Sequence, residues 1–191
     1  ANVVTFNMDE YLGLPHEHDQ SYWYFMHDNF FDHLVDMKPE NINILNGMTT
    51  NPEKECADYE AKIASYGGID LFMGGIGVDG HIAFNEPFTS LASRTGLRNL
   101  TSDTRIVNSR FFGNDPEKVP AQALSVGIGT VTDSREVLVL ISGHNKARAL
   151  AATVEGSVSQ KWTCSALQMH NAAIIACDEA ACGEITVDTY K

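Results

Sequence analysis

The residues of this chain best equipped for chemistry lie together in Gly74-Gly75-Ile76-Gly77-Val78-Asp79-Gly80-His81-Ile82-Ala83-Phe84-Asn85-Glu86-Pro87. Asp79, His81 and Glu86 place a carboxylate, an imidazole and a second carboxylate within eight residues. In extended chain Asp79 and His81 point the same way. A histidine between two acids suits proton transfer near neutral pH, because a carboxylate fixes its tautomer and raises its basicity. Gly75 and Gly77 remove side chains where a ligand could approach the backbone. On spacing alone, a glycine-rich turn beside a solvated histidine fits the same pattern, so both readings stand at this point. Three metal ligands are on offer, but the C-x-x-C and H-E-x-x-H spacings are absent, and no metal is expected.

The elements that must position these groups read as alternating strands and helices. Ile69 to Met73 is a short apolar run bounded by glycines, a buried strand leading into the motif. Val3 to Phe6 is a second such run, with Asp9 and Glu10 at its carboxyl end. In open parallel sheets ligands bind in the crevice beyond those ends. A parallel sheet would therefore bring Asp9 to the edge that carries Asp79, His81 and Glu86. The pattern predicts helices over Ser21–Leu34, from Pro52 to Tyr66, from Gly143 through Val154 and over Trp162–Met169. Strands are expected at Ile42–Leu45, Ala123–Ile128, Val137–Ile141 and Ala172–Cys177, with a turn at Gly129-Thr130 and an edge strand at Ile185–Val187. Residues 88–114 show no strong period and are expected to form a lid. The fold class is α/β: a largely parallel, Rossmann-like sheet with helices on both faces. No G-x-G-x-x-G with a downstream ribose-binding acid occurs, so no dinucleotide is expected.

The chain has 191 residues and a net charge of −12, which argues against a nucleic-acid or anionic-membrane surface. A small anionic substrate needs only one or two local cations. No apolar run approaches the length of a membrane span. Cys56, Cys164, Cys177 and Cys182 sit singly and read as reduced thiols of a cytoplasmic protein.

The Gly74–Pro87 stretch resembles the signature of the glucosamine-6-phosphate deaminases. Val3 to Tyr11, Asn29-Phe30-Phe31-Asp32-His33, Ser90 to Thr95, Asn108-Ser109-Arg110-Phe111-Phe112 and Trp162-Thr163 resemble the same family in the same order. The resemblance covers essentially the whole chain. It implies conversion of glucosamine 6-phosphate and water to fructose 6-phosphate and ammonium, in amino-sugar catabolism, by an enzyme classed as a hydrolase. It implies Asp9, Asp79, His81 and Glu86 as catalytic groups, with Asp9 the base that moves a proton between carbons. It implies Glu10, Gly75, Gly77, Arg110 and Lys146 at the substrate, Arg110 and Lys146 holding the phosphate. It also implies no cofactor, a homo-oligomer (a hexamer in the family), and a single domain over 1–191 without the family's N-terminal segment and C-terminal helix. A 6-phosphogluconolactonase-like hydrolase shares the Asp-Gly-His core, and a sugar-phosphate-sensing module shares related folds. The Phe84-Asn85-Glu86-Pro87 continuation and Met8-Asp9-Glu10-Tyr11 favour the deaminase over the lactonase.

Overall fold

The computed structural model describes residues 3–190. In chain order its regular elements are β1 (Thr5–Phe6), β2 (Asp9–Tyr11), α1 (Tyr22–Asn29), β3 (Ile42–Asn43), α2 (Pro52–Ser65), β4 (Leu71–Gly74), β5 (Gly96–Asn99) and α3 (Ser102–Asn108). They continue with β6 (Gln122–Ser125), α4 (Ile128–Thr132), β7 (Glu136–Ile141), α5 (Ala147–Val154), β8 (Ala173–Cys177) and α6 (Val187–Tyr190). Several 3-10 turns join them, the longest at Thr163–Met169.

The chain divides into two units, one ending at Lys62 and resuming over Thr95–Ser125, the other formed by Ile63–Arg94 and the residues from Val126 onward. In the first unit β1 and β3 pair in parallel, and Tyr59 ties them by donating its hydroxyl to Asn7 O at 2.8 Å and Asn43 O at 3.0 Å. β6 is the centre of a three-stranded antiparallel sheet with β2 on one side and β5 on the other. Asp9 thus lies within a strand, opposite Ser125, and not in a loop after one. The sequence pattern is too short there to show this: β2 has three residues, and its pairing partner is more than a hundred residues away.

In the second unit β4, β7 and β8 form a parallel sheet in that order. Phe72, Val137, Val139 and Ile141 are buried on one face. Leu71, Met73, Leu140 and Ile174 are each at least half exposed on the other. The α/β class with parallel strands is present. Among the described residues, burial on this sheet is confined to one face, where cover on both was expected.

Other departures have local causes. α1 stops at Asn29, short of the predicted Leu34. There His33 Nε2 meets Asp28 O at 2.8 Å, so a side chain occupies a carbonyl that a longer helix would use. The turn expected at Gly129-Thr130 is the helix α4. It is seated closely, because a Cβ at Gly127 would lie 2.0 Å from Ser93 O. No edge strand forms at Ile185–Val187: Thr186 N donates to Glu155 Oε1 at 2.6 Å and α6 begins. Residues 88–114 are not irregular throughout, for they contain β5 and α3, the latter capped by Thr101 Oγ1 accepting from Thr104 N at 3.2 Å.

Candidate active site

In the second unit β4 delivers the chain into the glycine-rich loop. Gly77 N donates to His81 O at 2.8 Å and Gly80 N to Gly77 O at 3.1 Å, closing a tight turn around Asp79. Inside it His81 Nδ1 lies 2.7 Å from Asp79 Oδ1 and 3.8 Å from Glu86 Oε2. Glu86 is buried, while the His81 side chain keeps 21% of its surface in contact with solvent. One ring nitrogen thus faces two carboxylates and part of the ring stays accessible, as a proton carrier needs. The three ligand atoms lie within 4.8 Å of one another, close enough to share an ion. Burial alone would raise the Asp79 carboxyl, but hydrogen bonding and charge from His81 outweigh it and hold Asp79 below its ordinary value.

The loop is fixed from outside. Thr163 Oγ1, fully buried, donates between two carbonyls, Gly80 O at 3.2 Å and Asn85 O at 3.1 Å. Buried Asn85 donates from Nδ2 to Ile82 O at 2.9 Å and Val126 O at 2.7 Å. Cys164 N donates to Gly80 O at 2.9 Å. The two ends of the segment that carries His81 and Glu86 are therefore clamped. Ala83, inside that segment, holds a left-handed φ of 52°, a strained conformation costing on the order of 1–3 kcal/mol, which the clamps sustain. Sequence reasoning assigned Thr163 and Asn85 no role. Their quoted motifs, Trp162-Thr163 and Phe84-Asn85-Glu86-Pro87, were the available signal.

Gly77 is required by the site itself: a Cβ there would lie 2.4 Å from the His81 ring and 2.6 Å from Asp79 Oδ1. Gly75 is under lighter constraint, its nearest neighbour being Leu140 O at 3.3 Å from an added Cβ. Lys146 is the last residue of a 3-10 turn, His144–Lys146, that precedes α5. Its Nζ donates to Ile76 O at 2.7 Å, which sets a cation against the loop between Gly75 and Gly77. Six predicted residues, Gly75, Gly77, Asp79, His81, Glu86 and Lys146, thus share one unit and one loop environment.

Asp9, Glu10 and Arg110 belong to the first unit. Asp9 is 7% exposed, and its charge contributes to raising the phenols of Tyr11, Tyr22 and Tyr59, after desolvation as the main cause. The Tyr11 hydroxyl is pushed up to about 12. Glu10 is 1% exposed and its carboxylate accepts three backbone N–H bonds, from Tyr11 at 2.8 Å, Tyr22 at 3.0 Å and Trp23 at 2.8 Å. Those donors include the unsatisfied N–H groups opening α1, where Ser21 Oγ also caps Tyr24 N at 3.0 Å. Through these bonds the side chain joins β2 to α1. Burial raises the Glu10 carboxyl above its ordinary value despite these donors. Arg110 lies in the 3-10 turn Ser109–Phe111, exposed, with its guanidinium 4.6 Å from the Phe111 ring centroid. Asn108 Nδ2 donates to the Tyr11 hydroxyl at 3.0 Å and Phe112 packs edge-on against the Tyr11 ring. The Asp9 strand and the Arg110 turn are thereby fastened within one unit. Asn108 and Tyr11, which sequence reasoning left without roles, provide the fastening.

The chain matches, over residues 1–176, the family described as glucosamine-6-phosphate isomerases/6-phosphogluconolactonase. A glucosamine-6-phosphate deaminase of Bacteroides fragilis is 64% identical over 190 residues, covering 100% of this chain and 70% of that protein. One of Pasteurella multocida is 62% identical, again over 100% of this chain and 71% of that protein. A solved structure of a monomeric glucosamine-6-phosphate deaminase has a TM-score of 0.91 at 41% identity, covering 95% of this chain and 74% of that chain. A 6-phosphogluconolactonase from Trypanosoma cruzi, at 16% identity and a TM-score of 0.73, shares the fold. The hydrolase class expected from the sequence is corrected by these relatives, which are named as deaminases at 60–64% identity. With the family match spanning most of its length, the chain belongs to the glucosamine-6-phosphate isomerase/6-phosphogluconolactonase family.

Proposed function

We propose that this chain converts glucosamine 6-phosphate and water to fructose 6-phosphate and ammonium, by acid–base catalysis on the open-chain sugar. The observation that carries the reading is the clamped Asp79–His81–Glu86 cluster, in a chain 64% identical to a glucosamine-6-phosphate deaminase. His81 moves the ring-oxygen and hydroxyl protons during ring opening, and Asp79 and Glu86 orient and charge its imidazole. Asp9 is the base that carries a proton between carbons 2 and 1 as ammonia leaves. Arg110 and Lys146 bind the phosphate, and the backbone at Gly75 and Gly77 lines the sugar. Guanidinium suits this task because its planar fork meets phosphate oxygens in pairs. The proton shift leaves an iminium at carbon 2; water adds there and the carbon–nitrogen bond breaks, giving the ketone of fructose 6-phosphate and ammonium. Residues 88–114 serve as the lid over the bound sugar.

The test is direct assay of ammonium and fructose 6-phosphate from glucosamine 6-phosphate. Lactone hydrolysis without ammonium release would overturn the reading. Arg110→Ala is expected to raise KM about tenfold or more, the loss of one charge-assisted hydrogen bond of roughly 1.5–3 kcal/mol, with kcat changed less. An unchanged KM removes Arg110 from the phosphate site. Assembly into a homo-oligomer, a hexamer by resemblance, and a cytoplasmic location belong to the same proposal. Light scattering decides the former, since the 41%-identical deaminase is monomeric. Among the described residues, no helix is long and apolar enough to cross a membrane.

A further inference from the structure

The sulfurs of Cys177 and Cys182 lie 3.5 Å apart. Cys177 ends β8 and is exposed; Cys182 lies in the 3-10 turn Ala181–Glu184 and is half-buried. Cys56 and Cys164, by contrast, are buried. The pair sits beside a tightly bonded junction. Cys177 is in register with Ile141, the last residue of β7, so the two strands release their next residues side by side. Asp178 bridges them. Its carboxylate accepts from Ser142 Oγ at 2.5 Å, from Gly143 N at 3.0 Å and from Ala181 N at 2.8 Å. Gly143, at φ 92°, starts the turn that ends at Lys146. The Ala181–Glu184 turn also touches that segment, because a Cβ at Gly183 would lie 3.1 Å from His144 Nδ1.

We propose that Cys177 and Cys182 form a reversible intrachain disulfide, and that its closure displaces the Ser142–Lys146 turn and weakens substrate phosphate binding. The second half rests on the reading of Lys146 as a phosphate ligand. The oxidant is a small-molecule disulfide. One protein thiolate attacks it, a mixed disulfide forms and the first small thiol leaves. The second protein thiolate then attacks the mixed disulfide, and the second small thiol leaves. The two cysteines lose two electrons and two protons, and the small disulfide gains them. Closing from 3.5 Å to a bond near 2.05 Å draws the sulfurs together by roughly 1.5 Å. Asp178 lies between the cysteines in sequence, so that movement is transmitted to Ser142 and Gly143 through its carboxylate.

The experiment treats the reduced protein with oxidised glutathione, traps free thiols by alkylation and maps the peptides by mass. The expected product links Cys177 to Cys182, lacks two hydrogens, reverts with dithiothreitol and leaves Cys56 and Cys164 unmodified. KM for glucosamine 6-phosphate is expected to rise on the order of threefold to tenfold, part of one charge-assisted contact. Cys177→Ser and Cys182→Ser should keep the reduced protein's activity and lose the KM response. Separate glutathione adducts on both cysteines, with no link between them, would overturn the disulfide. A linked pair with unchanged KM would overturn its coupling to Lys146. Inactivity of the reduced protein would overturn the functional reading alone, because the peptide map does not depend on it.

Discussion

Two acid-bearing segments, Asp9-Glu10 in the first unit and Asp79 to Glu86 in the second, look alike in sequence and are put to different uses. In the first, the Glu10 carboxylate is surrounded by backbone: three N–H groups point at it and 1% of the residue meets solvent. That carboxylate ties β2 to the start of α1, so it works as mortar. In the second, the partner of the acids is another titratable side chain, His81, at 2.7 Å from Asp79. Moving a proton between them converts a charged pair into a neutral one and leaves the Gly77 N–His81 O and Gly80 N–Gly77 O bonds of the loop intact. A buried acid becomes chemical when its partner can itself titrate, and structural when its partners are amides.

The largest expected effect separates these roles. His81→Asn removes the proposed proton carrier and should lower kcat by about 10²–10⁴-fold with the fold kept, measured by ammonium release and by the denaturation midpoint. A kcat within a few-fold of the parent would show that the second segment is as structural as the first. Glu10→Gln should do the reverse. The amide keeps one acceptor oxygen but presents donors to backbone N–H groups, so stability should fall by roughly 1–3 kcal/mol. The folded fraction should retain its kcat, and a large kcat loss at unchanged stability would place Glu10 at the substrate site.

The smallest effect is in pH dependence, where the two segments should carry opposite signs. Asp79 is held below its ordinary value of 3.8, so the folded state favours its charged form; that stability is present above this value and lost as pH falls through the lowered one. Glu10 is raised above its ordinary value of 4.5, so its contribution is full below that value and declines as pH rises through the folded one. Unfolding followed between about pH 2 and 6 should therefore show Asp79→Asn flattening the acid limb and Glu10→Gln reducing the loss on the alkaline side of pH 4.5. Identical profiles for both variants would remove the distinction.

Much of this molecule was legible in one dimension because the relevant information is local. The glycine-rich loop announces its own geometry: Gly77 leaves the space into which the His81 ring folds, and Asp79 and His81 are too close in sequence to part. The apolar runs at β4, β7 and β8 announce parallel strands, though only one face of their sheet is buried, and Pro52 marks the start of α2. What the tertiary structure decided are the partners that come from far away. Asp9 entered an antiparallel strand because β6 lies across from it, Glu10 became structural because the N–H groups of Tyr22 and Trp23 reach it, and Thr163 became a clamp because it meets Gly80 and Asn85. Cys177 and Cys182 are five residues apart, yet it is the turn at Ala181–Glu184 that folds one sulfur back onto the other. A side chain's type fixes what it can donate, accept or titrate; which group it meets depends on chain paths that no local pattern encodes.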